Sequence, residues 1–342
     1  MYAITETGKL WGWGRNADGQ LGLGNTTQQT TPQHITGVSG SLLENKKVIH
    51  VIAGQRGNDV TRCWVLTDEG VVYFMGQRES HGIRVGSYNS TSSTTQNTPI
   101  GLTNASTLWN SNNQKVIYMS ISGGRYPVLH FITDGGTTGH AQKIYATGSN
   151  NYGQQGTGTS ITSGQSASAQ GNWFGAEIKF RDFGDLSKNV NNSRPNEATD
   201  MTLDSLQTGS NKSKFKVGKI VSIQAHTYSD ETYSRVVMID EFGSIFYCGY
   251  WNYNMLENLE DDNGSSFESG QQYVTSFIPL FNQPEPITPL GYSFVGATYS
   301  EDGWLLMGKS GYIYTGGSDS WNQGGYPNSL HGFFHLDRNW NA

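Results

Sequence analysis

One phrase near the start of the chain returns four times along its length. In its first copy, at residues 6–24, a turn ending in Gly8 leads into a short apolar and aromatic run, a second glycine and a polar, glycine-rich loop, with Pro32 beyond. Later copies begin at residues 68, 134, 240 and 309. A phrase that repeats along a chain in this way indicates structural units that stack on one another or surround an axis.

Each copy contains the pattern of a β-hairpin. In the second copy, residues 63–67 and 71–75 are rich in β-branched and aromatic side chains, and a short turn separates them. Tight turns need a positive φ, which glycine adopts without steric cost. We therefore expect a positive φ at Gly8, Gly70, Gly243 and Gly311. A second glycine ends the following strand and permits a bulge or a close backbone approach there, at Gly14, Gly76, Gly148, Gly249 and Gly316.

Two further strands are expected in each unit. An apolar run precedes the hairpin in the later copies, at residues 48–53, 116–121, 220–223 and 294–297. A fourth strand is expected near the proline that follows each phrase, as at residues 33–35. No segment shows a sustained helical period with caps. Four-stranded antiparallel units repeated around an axis are the blades of a β-propeller, so we predict an all-β propeller of about five four-stranded blades.

The spacing of the turn glycines indicates one long insertion. Gly8 to Gly70 spans 62 residues, Gly70 to Gly136 spans 66 and Gly243 to Gly311 spans 68, whereas Gly136 to Gly243 spans 107. We predict one domain over residues 1–342 with an insertion at about 159–216. A degenerate sixth blade within the insertion is the alternative.

The loop after the first hairpin has a distinctive sequence. Residues 11–24 read Trp-Gly-Trp-Gly-Arg-Asn-Ala-Asp-Gly-Gln-Leu-Gly-Leu-Gly, and residues 150–154 of the third copy keep Asn-Asn-Tyr-Gly-Gln. This phrase resembles the repeat of the regulator of chromosome condensation family of β-propellers. The resemblance is divergent, because three copies lose Gln-Leu-Gly and the blades here are longer and fewer than is usual in the family.

The resemblance implies a fold more strongly than a function. Members of the family promote nucleotide exchange on a small GTPase, inhibit enzymes or serve as binding scaffolds. The repeat phrase is a folding signal, and function resides in sites carried by the fold. No functional residue of the family therefore transfers to a position in this chain.

Composition argues against several classes of function. Charged residues make up 15% of the chain and the net charge is −6, so a basic face for nucleic acid is not expected. No apolar run is long enough to span a membrane, and no signal peptide is visible. The histidines and the acidic residues near position 260 lack the spacing of metal ligands. We expect no enzyme activity, cofactor or metal, because no catalytic or phosphate-binding motif is present.

Both cysteines and both ends of the chain give further expectations. Cys63 and Cys248 fall in predicted strands of different blades, so we expect buried free thiols. Residues 1–5 resemble the second strand of a blade without the strand that precedes it in the later units. We expect residues 332–336 to supply that strand and so cover an open edge.

The insertion is the predicted location of function. It is rich in Ser, Gln and Gly at first and then carries charged residues in quick succession. Long loops are usually functional or disordered. We expect this segment to contact a partner protein or neighbouring subunit. The candidate binding residues are Trp173, Phe174, Arg181, Asp182, Lys188 and Arg194.

Several functions are compatible with these features. The main prediction is a non-enzymatic structural or adhesion scaffold, a virion protein such as a bacteriophage tail or fibre component, at the virion or extracellular surface. Its partners would be other proteins in a larger assembly, with surface glycans as a second ligand class. The alternative is a cytoplasmic propeller adaptor or small-GTPase exchange regulator. A weaker alternative is a secreted propeller lectin or inhibitor.

Overall fold

The computed structural model describes most of the first third of the chain and separate segments of the rest. The described residues are 1–56, 60–78, 94–101, 114–122, 128–135, 142–148, 150, 153–158, 176–181, 200–201, 203, 217–228, 233–251, 272–279, 294–299, 303–308, 313–317 and 334–336. From residue 294 onward, and at several strand ends, the description covers the backbone alone. The chain divides into two compact units, Met1–Ser149 with Ser163–Ala176, and Asn150–Thr162 with Glu177–Ala342.

The described residues form five β-sheets, in which most neighbouring strands pair in antiparallel fashion. Three sheets have four strands, one has three and one has six. This architecture confirms the all-β propeller prediction and its number of about five blades.

The first two sheets share a core. Sheet one contains β1 (Tyr2–Ile4), β2 (Leu10–Gly14) and β3 (Gln29–His34), followed by a one-turn 3-10 helix, Ile35–Gly37. Sheet two contains β4 (Val48–Arg56), β5 (Val60–Thr67), β6 (Val72–Arg78) and β7 (Thr94–Gly101). Leu10 and Ile35 pack with Val65 and Met75 in one buried cluster. Burial of these apolar side chains joins the two sheets.

The third sheet is buried on both faces of its central strands. It contains β8 (Val116–Ile121), β9 (Val128–Thr133), β10 (Ile144–Gly148) and β11 (Ala176–Glu177). Every residue of β9 and β10 is buried. A second cluster joins Trp64 and Phe74 of sheet two to Met119 and Phe131 of sheet three. Since both faces are covered, these strands read as continuous apolar runs rather than alternating ones.

The second unit contains the remaining sheets. Sheet four consists of β12 (Phe180–Arg181), β13 (Asp200–Met201), β14 (Ile220–Tyr228), β15 (Tyr233–Asp240), β16 (Ile245–Trp251) and β17 (Gln272–Pro279). Its strand order is β13-β12-β17-β16-β15-β14. Sheet five consists of β18 (Phe294–Tyr299), β19 (Gly303–Gly308), β20 (Ile313–Gly317) and β21 (Phe334–Leu336).

Parts of the predicted insertion are built into the sheets. β11 is the edge strand of sheet three, and β12 and β13 extend sheet four. β12 joins β17 in parallel through Phe180 and Phe277. The described residues of 159–216 therefore form no separate sheet. Strands of two residues are too short to show a period in the sequence, so the sequence predicts only a long loop here.

The predicted turn glycines have the expected conformation. The φ angle is 82° at Gly8, 79° at Gly70 and 88° at Gly243. Gly311 lies outside the described residues. In the third turn Gly135 has a φ of 82°, whereas Gly136 lies outside the described residues.

The strand-end glycines coincide with irregular pairing. Gly14, Gly76 and Gly249 have φ angles between 101° and 108°, and the register shifts at each of them. Of the two alternatives, a bulge or a close backbone approach, the register shows a bulge at these positions. Each bulge follows from a conformation that only glycine adopts readily.

The expectation for the C-terminal segment is wrong. β21 pairs with β20 through Thr315 and Phe334, so it completes sheet five. Sheet one has three strands among the described residues. Strands that follow one another along the chain usually pair, and here this local pairing prevails over pairing between distant segments.

Both cysteines are free and buried, as predicted. Burial raises the pKa of the Cys63 thiol to about 12. Burial also raises the pKa of Cys248 well above its ordinary value. Within the described part of the chain, no helix is long and apolar enough to cross a membrane.

Candidate protein-interaction surface

Most of the binding residues predicted from the sequence lie outside the described residues. This applies to Trp173, Phe174, Asp182, Lys188 and Arg194. Arg181 is described by its backbone, which lies in β12. The role of all six in binding a partner stays a prediction.

The part of the insertion next to these residues belongs to the core. Ile178 and Phe180 are fully buried. The Phe180 ring lies 5.4 Å from that of Phe246 and 6.0 Å from that of Phe277. The Lys179 N–H donates to Gly156, and the Phe277 N–H donates to Lys179, each at 2.8 Å. Residues 178–180 therefore stabilise sheet four rather than project from it.

The glycine-rich loop of the repeat docks on the next sheet. A Cβ added to Gly19 would lie 2.5 Å from the Cα of Asn97, and one added to Gly22 would overlap the Met75 sulfur. The Gly24 N–H donates to the Asn97 carbonyl at 2.8 Å, and the Asn97 side chain donates back at 3.2 Å. These glycines are needed because the loop approaches β6 and β7 closely.

The third copy of this loop docks in the same manner. A Cβ added to Gly156 would overlap the ring of Phe277 and lie 3.1 Å from the Cys248 sulfur. Cys248 also approaches the Gln154 carbonyl at 3.7 Å. Both repeat loops thus pack closely against a sheet, and their role is structural. They are poor candidates for a ligand site.

The turn of one blade is joined to the first strand of the next. The Val48 N–H donates to the Gly8 carbonyl at 2.8 Å, and the Val116 N–H donates to the Gly70 carbonyl at 3.3 Å. A lysine precedes each of these strands. A Cβ on Gly8 would overlap the Lys47 stem, and one on Gly70 would overlap that of Lys115. The aliphatic stem of each lysine therefore covers the turn, while the residue as a whole is exposed.

In β4, β8 and β14, a bulge near the start of the strand leaves one apolar side chain exposed. The register shifts between Val48 and His50, between Val116 and Tyr118 and between Ile220 and Ser222. The residues in between are exposed by 47% at Ile49, 44% at Ile117 and 51% at Val221. In the first unit, Val71 is 36% exposed and directly follows Gly70, whose carbonyl accepts the hydrogen bond from the Val116 N–H. We call Ile49, Val71 and Ile117 the bulge surface.

Charged groups at the same joints are mixed in sign. Lys46 pairs with Glu69 at 2.8 Å in an exposed position. The hydrogen bond from Glu69 raises the pKa of Lys46. Exposed ion pairs of this kind contribute little to stability. The Asp134 side chain accepts the Lys115 N–H at 2.9 Å. Because both signs of charge are present, the turns and the strands bonded to them carry no strong electrostatic potential of either sign. Their distinguishing feature is the exposed apolar side chains.

The shifted pKa values have structural causes. Burial raises the pKa of Tyr2, whose hydroxyl donates to the Gln20 carbonyl at 2.6 Å. Burial lowers the pKa of His50, whose ring lies 5.5 Å from that of Tyr118. Burial also raises the pKa of Asp240, which accepts hydrogen bonds within its turn. Among the described residues, no group of three or more His, Cys, Asp or Glu could hold a metal ion.

The sequence pattern does not predict that the residues of the bulge surface are exposed. A bulge interrupts the alternation of side chains along a strand, so residues 48 and 49 read as consecutive core positions. A detectable signal does exist. The triplets Lys-Val-Ile at 47 and 115 and Lys-Ile-Val at 219 recur at the same place in three repeats.

Comparison with known proteins supports the resemblance noted in the sequence. Residues 7–58 match the family model "Regulator of chromosome condensation (RCC1) repeat". An RCC2 homologue of Danio rerio is 37% identical over 76 residues, which are 22% of this chain and 13% of that protein. A probable E3 ubiquitin-protein ligase, HERC4 of Rattus norvegicus, is 27% identical over 173 residues, 51% of this chain and 14% of that protein. The chain thus spans a small part of these relatives.

A solved structure supports the fold. The crystal structure of human WBSCR16 superposes on this chain with a TM-score of 0.54 at 13% identity, covering 98% of this chain and 64% of that one. At this identity the likeness concerns the fold alone. The comparisons support RCC1-like repeats in this chain and give no support to a virion or adhesion role.

Proposed function

We propose that this chain is a propeller adaptor that binds other proteins without catalysing a reaction. The observation that carries the proposal is the bulge surface, where β-branched side chains stay exposed at a repeated position. Folding does not require Ile49 or Ile117 to be apolar, because each is about half exposed. Contiguous exposed apolar side chains mark protein interaction sites, so the proposal requires Ile49, Val71 and Ile117 to act as one patch.

The relatives support the adaptor over the alternatives predicted from the sequence. They are vertebrate RCC2 and HERC proteins, matched over RCC1-like repeats. These matches favour a cytoplasmic adaptor over a virion component, a glycan-binding adhesin or a secreted lectin. The HERC proteins are named as ligases, but the match covers 14% of HERC4 and carries no ligase activity to this chain.

Nucleotide exchange on a small GTPase is a finer form of this proposal. Its support is the family resemblance alone, because residues 7–58 match the RCC1 repeat and members of that family promote such exchange. The assay is release of a fluorescent guanosine diphosphate from purified small GTPases in the presence of the chain. Acceleration would assign exchange activity, whereas binding without acceleration would leave the adaptor role.

The adaptor role is tested by an affinity experiment with matched variants. The wild-type chain, an Ile49→Ser/Ile117→Ser variant and a Thr30→Ser/Thr31→Ser control are immobilised, and proteins retained from a lysate are identified by mass spectrometry. We expect specific partners to be lost from the isoleucine variant and kept by the control, in which both changed residues are exposed. Retention of the same partners by all three proteins would contradict the proposal, as would purification of the chain within a virus particle.

A further inference from the structure

The strands β3, β7 and β17 share the same irregularity. Three residues of each strand face a single residue of the neighbouring strand β2, β6 or β16. These segments are residues 30–32 of β3, 97–99 of β7 and 275–277 of β17. The extra residues bend the strand away from its partner, and we call these segments the three-residue bulges.

Repeat loops cover the three-residue bulges of β7 and β17. The loop at residues 19–24 packs on the bulge of β7, and a Cβ added to Gly22 would lie 3.3 Å from Cγ of Pro99. Pro99 is buried at this contact. In β17 the equivalent residues, Ser276 and Phe277, are both fully buried.

The three-residue bulge of β3 has different surroundings. Thr30, Thr31 and Pro32 are all exposed. Thr31 and Pro32 repeat the dipeptide Thr98–Pro99 of β7 at the same position in the register. The two dipeptides differ in the proline, because Pro32 is exposed whereas Pro99 is buried.

The hydroxyl groups of the two threonines have matching environments. The Gln33 side-chain N–H donates to the Thr31 hydroxyl at 3.1 Å, and the Gln96 side-chain N–H donates to the Thr98 hydroxyl at 3.0 Å. In each bond the hydroxyl is the acceptor, so the bond does not use the hydroxyl proton. Thr98 is also exposed, like Thr31. The two positions therefore form a matched pair that separates exposure of the proline from exposure of the hydroxyl.

We propose that Thr31 is a phosphorylation site for a proline-directed serine/threonine kinase. Kinases of this class bind an extended substrate and hold the ring of the proline that follows the acceptor. The Thr31 oxygen forms a bond to the γ-phosphorus of ATP while the bond from that phosphorus to the β–γ bridging oxygen breaks. The hydroxyl proton passes to a base of the kinase, and ADP leaves. The product carries about −1.5 to −2 additional charge on β3.

This site is distinct from the bulge surface and does not depend on the proposed function. In the test, the full chain is incubated with a purified mitogen-activated protein kinase and ATP, and the modified residues are located by mass spectrometry. Synthetic peptides of residues 27–34 and 94–101 report on the two sites without the fold. We expect phosphate on Thr31 in both the chain and its peptide. Thr98 should be phosphorylated in its peptide and at least about tenfold more slowly in the chain, because Pro99 is buried there.

Three variants of the full chain locate the site. Pro32→Ala removes the ring that the kinase holds and keeps the hydroxyl, so it should lower the rate about tenfold. Thr31→Ser should still be phosphorylated, and Thr30→Ala is the matched control beside the acceptor. All three positions are exposed, so the urea midpoints of the variants should match that of the wild type.

Several results would overturn the proposal. Phosphorylation of the 27–34 peptide without modification of the chain would show that the folded chain hides Thr31. An unmodified 27–34 peptide would show that this sequence is not a substrate. Equal rates at Thr31 and Thr98 in the folded chain would show that exposure of the proline does not select the site.

Discussion

The side-chain oxygen of Asn16 accepts a hydrogen bond from the backbone N–H of Leu21, 2.9 Å away. The same contact recurs in the third repeat, where Asn150 accepts the N–H of Gln155 at 3.0 Å. The Asn16 amide also donates to the Asn25 carbonyl at 2.9 Å, and its side chain is fully buried. The asparagine of the repeat thus holds together the loop that docks on the next sheet.

Replacing Asn16 with Ala should destabilise the first unit. It removes both bonds and leaves the N–H of the buried Leu21 unpaired, at a cost of about 1–3 kcal/mol. Urea unfolding followed by tryptophan fluorescence measures the effect. Gln28→Ala is the control, since Gln28 is exposed in the same loop. Equal midpoints for the two variants would contradict the role given to Asn16.

Substitutions at Gly22 and Gly24 separate the free-energy cost of backbone strain from the cost of a steric overlap. Both have a positive φ, 66° and 77°. A Cβ at Gly22 would overlap the Met75 sulfur, whereas nothing lies within 4 Å of one at Gly24. Gly24→Ala should cost about 1–2 kcal/mol from backbone strain alone. Gly22→Ala should lower the free energy of unfolding by more, and equal losses would show that the close approach is not restrictive.

Asp240 closes the turn of sheet four with three hydrogen bonds. One carboxylate oxygen accepts the Phe242 and Ser244 N–H groups at 3.0 and 2.8 Å, and the other accepts the Gly218 N–H at 3.0 Å. Asp240→Asn places an NH2 group opposite an N–H, which should cost about 1–3 kcal/mol of unfolding free energy. Asp68→Asn is the matched control at an exposed turn position. Equal stability of the two variants in urea would contradict this account.

The features predictable from the sequence are those that local chemistry determines. A tight turn needs glycine at Gly70, and a bulge favours it at Gly76, so both could be predicted without knowledge of the fold. The pairing of β12 with β17 and of β21 with β20 depends on which edges are available, and short segments carry no such information. The exposure of Ile49 could not be predicted for a related reason. It depends on a bulge, and a bulge interrupts the period-two alternation from which exposure is inferred.

The buried thiols predict how stability varies at alkaline pH. Cys63 has a pKa raised to about 12 in the folded chain. An unfolded thiol ionises near pH 8.5, so the unfolded state loses its proton first and stability falls as pH rises from there towards 12, by about 1.4 kcal/mol per pH unit. Cys63→Ala should therefore reduce the loss of unfolding free energy between pH 8 and 10. An unchanged loss would contradict the assignment, as would rapid reaction of either native thiol with a disulfide reagent.

The packing of Phe180 predicts how two deletions in the insertion differ. Removing residues 160–214 deletes Phe180, and Phe→Ala changes in a core alone cost about 3–5 kcal/mol. We therefore expect this deletion to unfold sheet four, contrary to what a dispensable loop would do. A narrower deletion avoids this loss. Arg181 and Asp200 are paired neighbours in β12 and β13, so an Asn-Gly turn can replace residues 182–199.

The narrower deletion tests the binding role predicted for this segment. It removes Asp182, Lys188 and Arg194 while keeping Phe180 and the pairing of β12 with β17. We expect urea unfolding and the near-ultraviolet circular dichroism to match the wild type. Partner proteins that bind Asp182, Lys188 or Arg194 rather than the bulge surface should be lost. A folded deletion variant that keeps its partners would exclude these three residues and leave the bulge surface as the binding site. If instead the narrow deletion unfolds sheet four, residues 182–199 belong to the core.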